Sequence, residues 1–367
     1  MKNQKYIISA TALTYPIDKL GKKEDLLFLD IETTGLSPNT SVIYLIGCCY
    51  YRNSQWICEQ FFATNPSEEC EILTAFLDVM KKYPILIHFN GNQFDLPFIK
   101  KRCDALSIPC DFDKACGIDI YKRIFPYRFF LKLSNCKQKT LESFLGINRD
   151  DKYQGGELIA VYHEYCQSHD AEALSLLLLH NHDDIEGMLM LLPVLTYTDL
   201  FSEHIKVKKV QCNSYKDVND VKKKELLLTL SFSISIPKPI SFQANDCYFS
   251  AKDNNGLLKI PVYQEELQYF YENYHDYYYL PEEDMAVHKS VSTYVDHSFR
   301  EQATKATCYT RKYSSYLPQW DYLFEPFFKR EFKSTNLFFE LTEELKTNRD
   351  AFSKYASHVL SMMVKER

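Results

Sequence analysis

No CxxC pair occurs among the twelve cysteines of this 367-residue chain, and only Cys48 and Cys49 are adjacent. That scatter argues against a zinc ribbon or a disulfide framework and favours a reduced, cytoplasmic setting. The opening stretch "MKNQKYIISATALTYPIDKL" lacks the long apolar region of a signal peptide. No apolar run approaches the length of a membrane span, so no membrane association is expected. Internal repeats and low-complexity segments are missing too. Nor is there an excess of positive charge: 43 Lys and Arg stand against 49 Asp and Glu, a formal net charge of −6. This argues against a protein that coats nucleic acid by bulk electrostatics, while leaving room for a local basic groove.

What is present is ordinary for a globular protein, with 46% hydrophobic and 25% charged residues. Aromatic content is high, with 27 Tyr and 25 Phe. The length suggests two domains, with a boundary near residue 205 that leaves 1–204 and 205–367.

In the first part, "DLLFLDIETTGL", "SVIYLIGCCYY" and "QWICEQFFA" read as three strands with short connections. "SEECEILTAFLDVMKKY" has helical apolar spacing, a capping-type Ser67 at its start and Pro84 just beyond its end. "ILIHFN" is apolar throughout and predicts a central strand covered on both faces. "FDLPFIKKRCDAL" is a further helix, and "GIDIYKRIF" supplies a fifth strand. A helical region runs from Val161 to about Leu200, interrupted near Ser168. The pattern predicts an α/β layer with a mixed five-stranded sheet flanked by helices, followed by an α+β region after residue 205.

Asp30 and Glu32 sit two apart at the end of the first strand, so both carboxylates project from one face. Ionised acids that close repel, more so when buried, unless a cation lies between them. All-oxygen ligands suit Mg²⁺ or Mn²⁺. The plainer reading of "DxE" alone is a solvent-facing pair. Two further stretches weigh against it. "HFNGNQFDLPF" places Asp95 just past the central strand, where an acid is often only a helix cap but where open α/β sheets also bind ligands. Asn90 and Gly91 turn the chain there and expose that edge. "LLLLHNHDDIEGMLMLL" inserts five polar residues into an apolar helix, at a cost unless they have partners. His180 and Asp184 share one face at i and i+4; Asp183, at i+3, remains open.

"DIETTG", "NGNQFDLP" and "HNHDD" resemble, in order and context, the three exonuclease motifs of the DEDD superfamily, which has the ribonuclease H-like fold. "TLESFLGINRDDKYQGGELIAVYHEY" followed by "LLLLHNHDDIEGMLMLLPVL" is similar to the YprB-type family of that fold, over residues 20–200. The resemblance implies a 3′–5′ exonuclease using two divalent ions, Mg²⁺ or Mn²⁺, held by Asp30, Glu32, Asp95 and Asp184. It implies His180 as general base, with three residues between His and Asp where the wider superfamily's His-bearing members have four. "QGG" stands where the family pattern tends to have Pro-Gly. Thr33, Thr34, Gly35 and Leu36 are implied to line the cleft for the 3′-terminal nucleotide, Leu36 as an apolar wedge, with Asn90 as a further substrate contact. A turn is the alternative for Thr33–Leu36; Lys100, Lys101 and Arg102 read as a solvated helix face, with contact to phosphates as the alternative.

The expected substrate is a single-stranded nucleic acid end, DNA before RNA, in repair or processing, with a DNA helicase as the implied partner. A non-catalytic nucleic-acid-binding scaffold on the same fold is the alternative. The intact set of four acids and a histidine stands against it. An endonuclease acting on RNA–DNA hybrids is a third reading. In the second part, "KVKKV", "DVKKKE" and "FFKREFK" read as solvated surface, the Tyr-rich "YFYENYHDYYYLPEEDMAVHKS" as packed core or partner surface, and His288 not as part of a metal site.

Overall fold

The computed structural model describes residues 1–8, 14–112, 115–149, 153, 155–202 and 205–365. Its contacts divide into two compact units, Met1–Asp199 with Ile236–Lys238, and Leu200–Ser235 with Pro239–Arg367.

The first unit is built on six strands: β1 Lys2–Ile8, β2 Leu26–Thr33, β3 Ile43–Arg52, β4 Gln55–Phe62, β5 Ile85–His88 and β6 Cys116–Asp119. Their order is β1-β4-β3-β2-β5-β6. β1 to β4 pair antiparallel, whereas β2–β5 and β5–β6 are parallel, so the sheet is mixed. There is one strand more than the sequence pattern predicts. β1 opens with four consecutive polar residues, Lys2 to Lys5, and has no apolar alternation; its partner β4 defines it, not its composition. "GIDIYKRIF" yields a strand for only its first half: Asp119 accepts from Lys122 N and starts a helix instead.

Six helices matter here: α1 Glu69–Met80, α2 Asp95–Ala105, α3 Ile120–Ile124, α4 Gln138–Leu145, α5 Gly155–Ser168 and α6 Ala171–Met190. Ser67 does not cap α1. Asn65 Oδ1 accepts from Ser67 N at 3.0 Å and opens a 3₁₀ turn that runs into α1. The break near Ser168 separates α5 from α6, and Asp170 caps α6 by accepting from Ala173 N at 2.8 Å. The stretch Ala171–Ser202 is by length and composition apolar enough to cross a membrane, with mean hydropathy 1.2 in one window of it; 67% of that window is buried inside the protein, as in a core helix. Gln154 of "QGG" lies outside the described residues.

The period of two along β2 assigns its faces. Leu27, Leu29 and Ile31 join Ile72, Phe76, Phe98 and Ile99 in a core beneath α1 and α2. On the opposite side, Tyr44, Leu45 and Phe62 of the sheet pack with Tyr162 and Tyr165 of α5 and Leu177 of α6. Asp30 and Glu32 therefore face α6. The C-terminal ends of the parallel strands β2, β5 and β6 lie on one edge, which brings Asp30, the loop to Asp95, and Asp119 together.

The second unit carries an eight-stranded sheet and a separate three-stranded one. "ELLLTLSFSISI" is a strand only to Ser231, and the C-terminal segment ends in the helix Arg349–Lys365. In the Tyr-rich stretch, Tyr271 stacks on Tyr277 at 4.5 Å, and both pack against buried Ala286, Ala303 and Cys308. His288 caps a short helix by accepting from Ser290 N.

Candidate active site

α6 presents one stripe to the sheet, at Ala173, Leu177, His180, Asn181, Asp184 and Met188. Apolar residues seat the stripe at both ends, which fixes the polar residues between them. His180 is 4% exposed; its Nε2 lies 3.2 Å from Asp184 Oδ2 and 3.5 Å from Glu32 Oε1. Donor atoms of Glu32, His180 and Asp184 all fall within 4.8 Å of one another.

Asp30 lies two residues before Glu32 on the same face, and Asn181 Nδ2 donates to its Oδ2 at 3.0 Å. Burial, then the charges of Asp184, Glu32 and Asp95, push the Asp30 carboxyl well above the usual range, against the pull of the Asn181 donor. Asp95 is the first residue of α2 but does not act as its cap. Its Oδ1 accepts from Ile31 N, the peptide between the two strand acids, at 3.2 Å. Burial pushes Asp95 up to about 7, with backbone donors pulling the other way.

The structure thus gathers Asp30, Glu32, Asp95, His180 and Asp184 at one place. It sets His182 apart, paired with Glu186 at 3.2 Å and edge-on to Tyr6. The donor set fits a hard divalent cation: buried carboxylates and an imidazole, no thiolate, and charges that repel one another in the bare protein.

The turn after Glu32 starts at an irregularity in the β2–β3 pairing, which re-aims the chain. Thr33 Oγ1 donates to Gly35 O at 2.8 Å, and Thr34 Oγ1 accepts from Val42 N at 3.0 Å. Gly35 sits against Ser41, where a Cβ would come within 2.6 Å of its hydroxyl. Leu36 is 87% exposed. Asn90 has φ +62°, and its N–H donates to Asp119 Oδ1 at 3.0 Å. Arg102 forms an ion pair with Glu69 at 2.6 Å, leaving Lys100 and Lys101 as the exposed part of that basic run.

Several residues at the site escape the sequence reading. Asn181 is one link of a buried chain: Gln4 donates to Gln60, Gln60 Nε2 donates to Asn181 Oδ1 at 2.9 Å, and Asn181 donates to Asp30. Gly47, opposite Asp30 on β3, makes room for it; a Cβ there would lie 2.1 Å from Asn181 Oδ1. Arg149 bridges Glu142 of α4 to Asp184, at 3.1 and 2.6 Å. Gln138 Nε2 donates to both Glu142 Oε1 and the Asp184 carbonyl. Tyr44 is fully buried near Glu32, its hydroxyl without a hydrogen-bond partner among the described residues. The adjacent "HNHDD" polar run was the available signal for Asn181; nothing in the sequence tied Gly47, Gln60 or Arg149 to it.

Residues 27–196 match the family model of the RNase H superfamily. The fold of the first unit is ribonuclease H-like: a mixed six-stranded sheet flanked by helices. A 44-residue stretch, 12% of this chain, is 36% identical to DNA polymerase 1 of Aeropyrum pernix (strain ATCC 700893 / DSM 11879 / JCM 9820 / NBRC 100138 / K1), of which it spans 5%. The family B DNA polymerase of the archaeon Pyrobaculum calidifontis is similar over 47% of this chain and 24% of its own, with 18% identity and a TM-score of 0.39. E. coli Exonuclease I in complex with a dT13 oligonucleotide is similar over 56% of this chain and 54% of its own, with 11% identity and a TM-score of 0.33. The chain thus spans only a part of each of these proteins.

Proposed function

We propose that this chain is a metal-dependent 3′–5′ exonuclease of the YprB type, releasing nucleoside 5′-monophosphates from single-stranded DNA. The observation that carries the reading is the meeting of His180 Nε2 with Glu32 and Asp184, beside Asp30 and Asp95. Asp30, Glu32, Asp95 and Asp184 would hold two divalent cations, Mg²⁺ or Mn²⁺, which supply neutralisation of the phosphodiester charge and a lowered water pKa.

The chain's own residues do the rest. Asn181 fixes the rotamer of Asp30 through its hydrogen bond, and Arg149 fixes that of Asp184. His180 takes the proton of the attacking water as general base, held in place by the packing of Leu177 and Met188. The water oxygen bonds to the phosphorus as the bond to the 3′ oxygen breaks, and that oxygen takes a proton from solvent, leaving a new 3′-hydroxyl on the shortened strand. Thr33–Leu36 and Asn90 flank the terminal nucleotide, with exposed Leu36 against its base. DNA is favoured over RNA because a relative that shares a short stretch with this chain is a DNA polymerase. A scaffold that had lost catalysis would be expected to lack at least one of the acids, and all are present. The second unit is assigned an accessory role, and nothing in the described residues bears on a helicase partner.

The test is degradation of 3′-labelled and 5′-labelled single strands, DNA beside RNA, with Mg²⁺, Mn²⁺ or EDTA. Metal-dependent release of mononucleotides from the 3′ end, absent in Asp30→Ala, is expected. Cleavage of circular or 3′-blocked strands would replace this reading with an endonuclease, and binding without any cleavage would replace it with the scaffold.

A further inference from the structure

From residue 120 to 141 the chain contains six Lys or Arg and no acid, although the whole protein carries a net charge of −6. The same stretch, "IYKRIFPYRFFLKLSNCKQKTL", is dense in aromatic residues. It begins where β6 ends, at the edge that holds the acids: Asp119 accepts from Asn90 N and Asn92 N in the loop that leads to Asp95.

Ring contacts run outward from that edge. Phe89, the residue before Asn90, lies edge-on to Tyr121 at 6.0 Å, and Tyr121 lies 5.3 Å from Phe125. The Arg128 guanidinium then sits over both Phe125 and Phe129, at 4.0 and 4.1 Å. Phe125 is 39% and Phe129 46% exposed. Single exposed apolar residues are common and need no explanation. Here two flank one arginine, in line with a ring ladder rooted at the acid-bearing edge, with exposed Lys122 and Arg123 alongside.

We propose that this ladder is a track for the unpaired strand on the 5′ side of the terminal nucleotide. Bases stack on Phe125 and Phe129, Arg128 is held between the rings with its charge available to the strand, and Lys122 and Arg123 meet phosphates. The occupant is single-stranded DNA. The sign of the patch, opposite to that of the protein, matches a polyanion, and the interleaved π faces match unpaired bases rather than a duplex, whose bases are stacked already. The direction of the strand rests on the exonuclease reading; the binding does not.

The experiment is fluorescence anisotropy of the full chain in EDTA, with labelled oligo-dT and an abasic strand of the same length. Phe125→Leu with Phe129→Leu keeps apolar bulk and removes the rings; it is expected to weaken oligo-dT binding at least about tenfold and leave the abasic strand unchanged. Phe125→Tyr with Phe129→Tyr keeps the rings and is expected to bind as the parent. Equal binding by the Leu and Tyr pairs, or an equal loss on the abasic strand, overturns the stacking track. Lys122→Gln with Arg123→Gln is expected to reduce the salt dependence of binding by about 1.4 in slope, as two single-strand phosphate contacts require; an unchanged slope also overturns it. All of this is read without hydrolysis. A protein that shows these contrasts but releases no mononucleotide with Mg²⁺ would overturn the exonuclease reading and leave the track standing.

Discussion

Arg149 Nη2 donates to Asp184 Oδ1 at 2.6 Å, which leaves Asp184 Oδ2 turned toward His180. One guanidinium thus selects which carboxylate oxygen faces the cluster. Buried Glu142 holds the guanidinium in turn, and Gly187 leaves space for that carboxylate, since a Cβ there would lie 2.2 Å from Glu142 Oε1.

Arg149→Ala therefore removes a mostly buried cation from two carboxylates. The expected loss is about 3 kcal/mol in urea denaturation, because an uncompensated acid is left inside. Mn²⁺ affinity, read by electron paramagnetic resonance, should fall about 10-fold or more as Asp184 loses its orienting donor. An unchanged denaturation midpoint and Mn²⁺ affinity would show that the bridge holds neither the fold nor the ligand.

Gly47→Ala is a test at a distance. The added methyl collides with the Asn181 carboxamide and displaces the donor to Asp30. We expect about 1–3 kcal/mol of destabilisation and a larger relative drop in kcat than in strand affinity. Full activity in a folded Gly47→Ala protein would separate Asn181 from the positioning of Asp30.

The acid cluster should make the metal-free protein more stable at mildly acidic pH. Asp95 titrates near 7 when folded, mainly through burial, against an ordinary carboxylate value when unfolded. A raised folded value means that the unfolded chain releases its proton first. The contribution is full below the unfolded value and is lost as pH rises through about 7. Asp30 is shifted in the same direction. In EDTA, wild-type stability should fall relative to Asp95→Asn between pH 5 and 7, by a few kcal/mol. Parallel pH curves for the two proteins would contradict this. Saturating Mg²⁺ should flatten the difference from the wild-type side.

His180→Ala should lower kcat by 10²–10⁴-fold while Mn²⁺ binding persists, the range for loss of a general base. His182→Ala, in contrast, removes a partly exposed pair with Glu186 and an edge contact with Tyr6, and should stay within a few-fold of the parent. The reverse order of damage would place the base on the other histidine and would contradict the register of α6.

By itself the sequence determined the sheet-and-helix frame and singled out the five residues that the fold gathers at one place. Period two in "LLFLDIET" put Asp30 and Glu32 on one face, and period 3.6 in α6 put His180 over Asp184. These are local facts of one strand and one helix, so they survive without knowledge of the partners. Tertiary structure decided what supports them. Gly47 matters because β3 runs beside β2 in one particular register, Gln60 because β4 lies next to β3, and Arg149 because a loop 35 residues before Asp184 returns to α6. β1 exists as a strand because β4 offers it an edge. Each of these depends on pairing or packing between distant segments, and the side chains involved are individually unremarkable in the sequence. The fold brings them together because burying carboxylates requires donors, and the donors can come from anywhere in the chain that the sheet order makes adjacent.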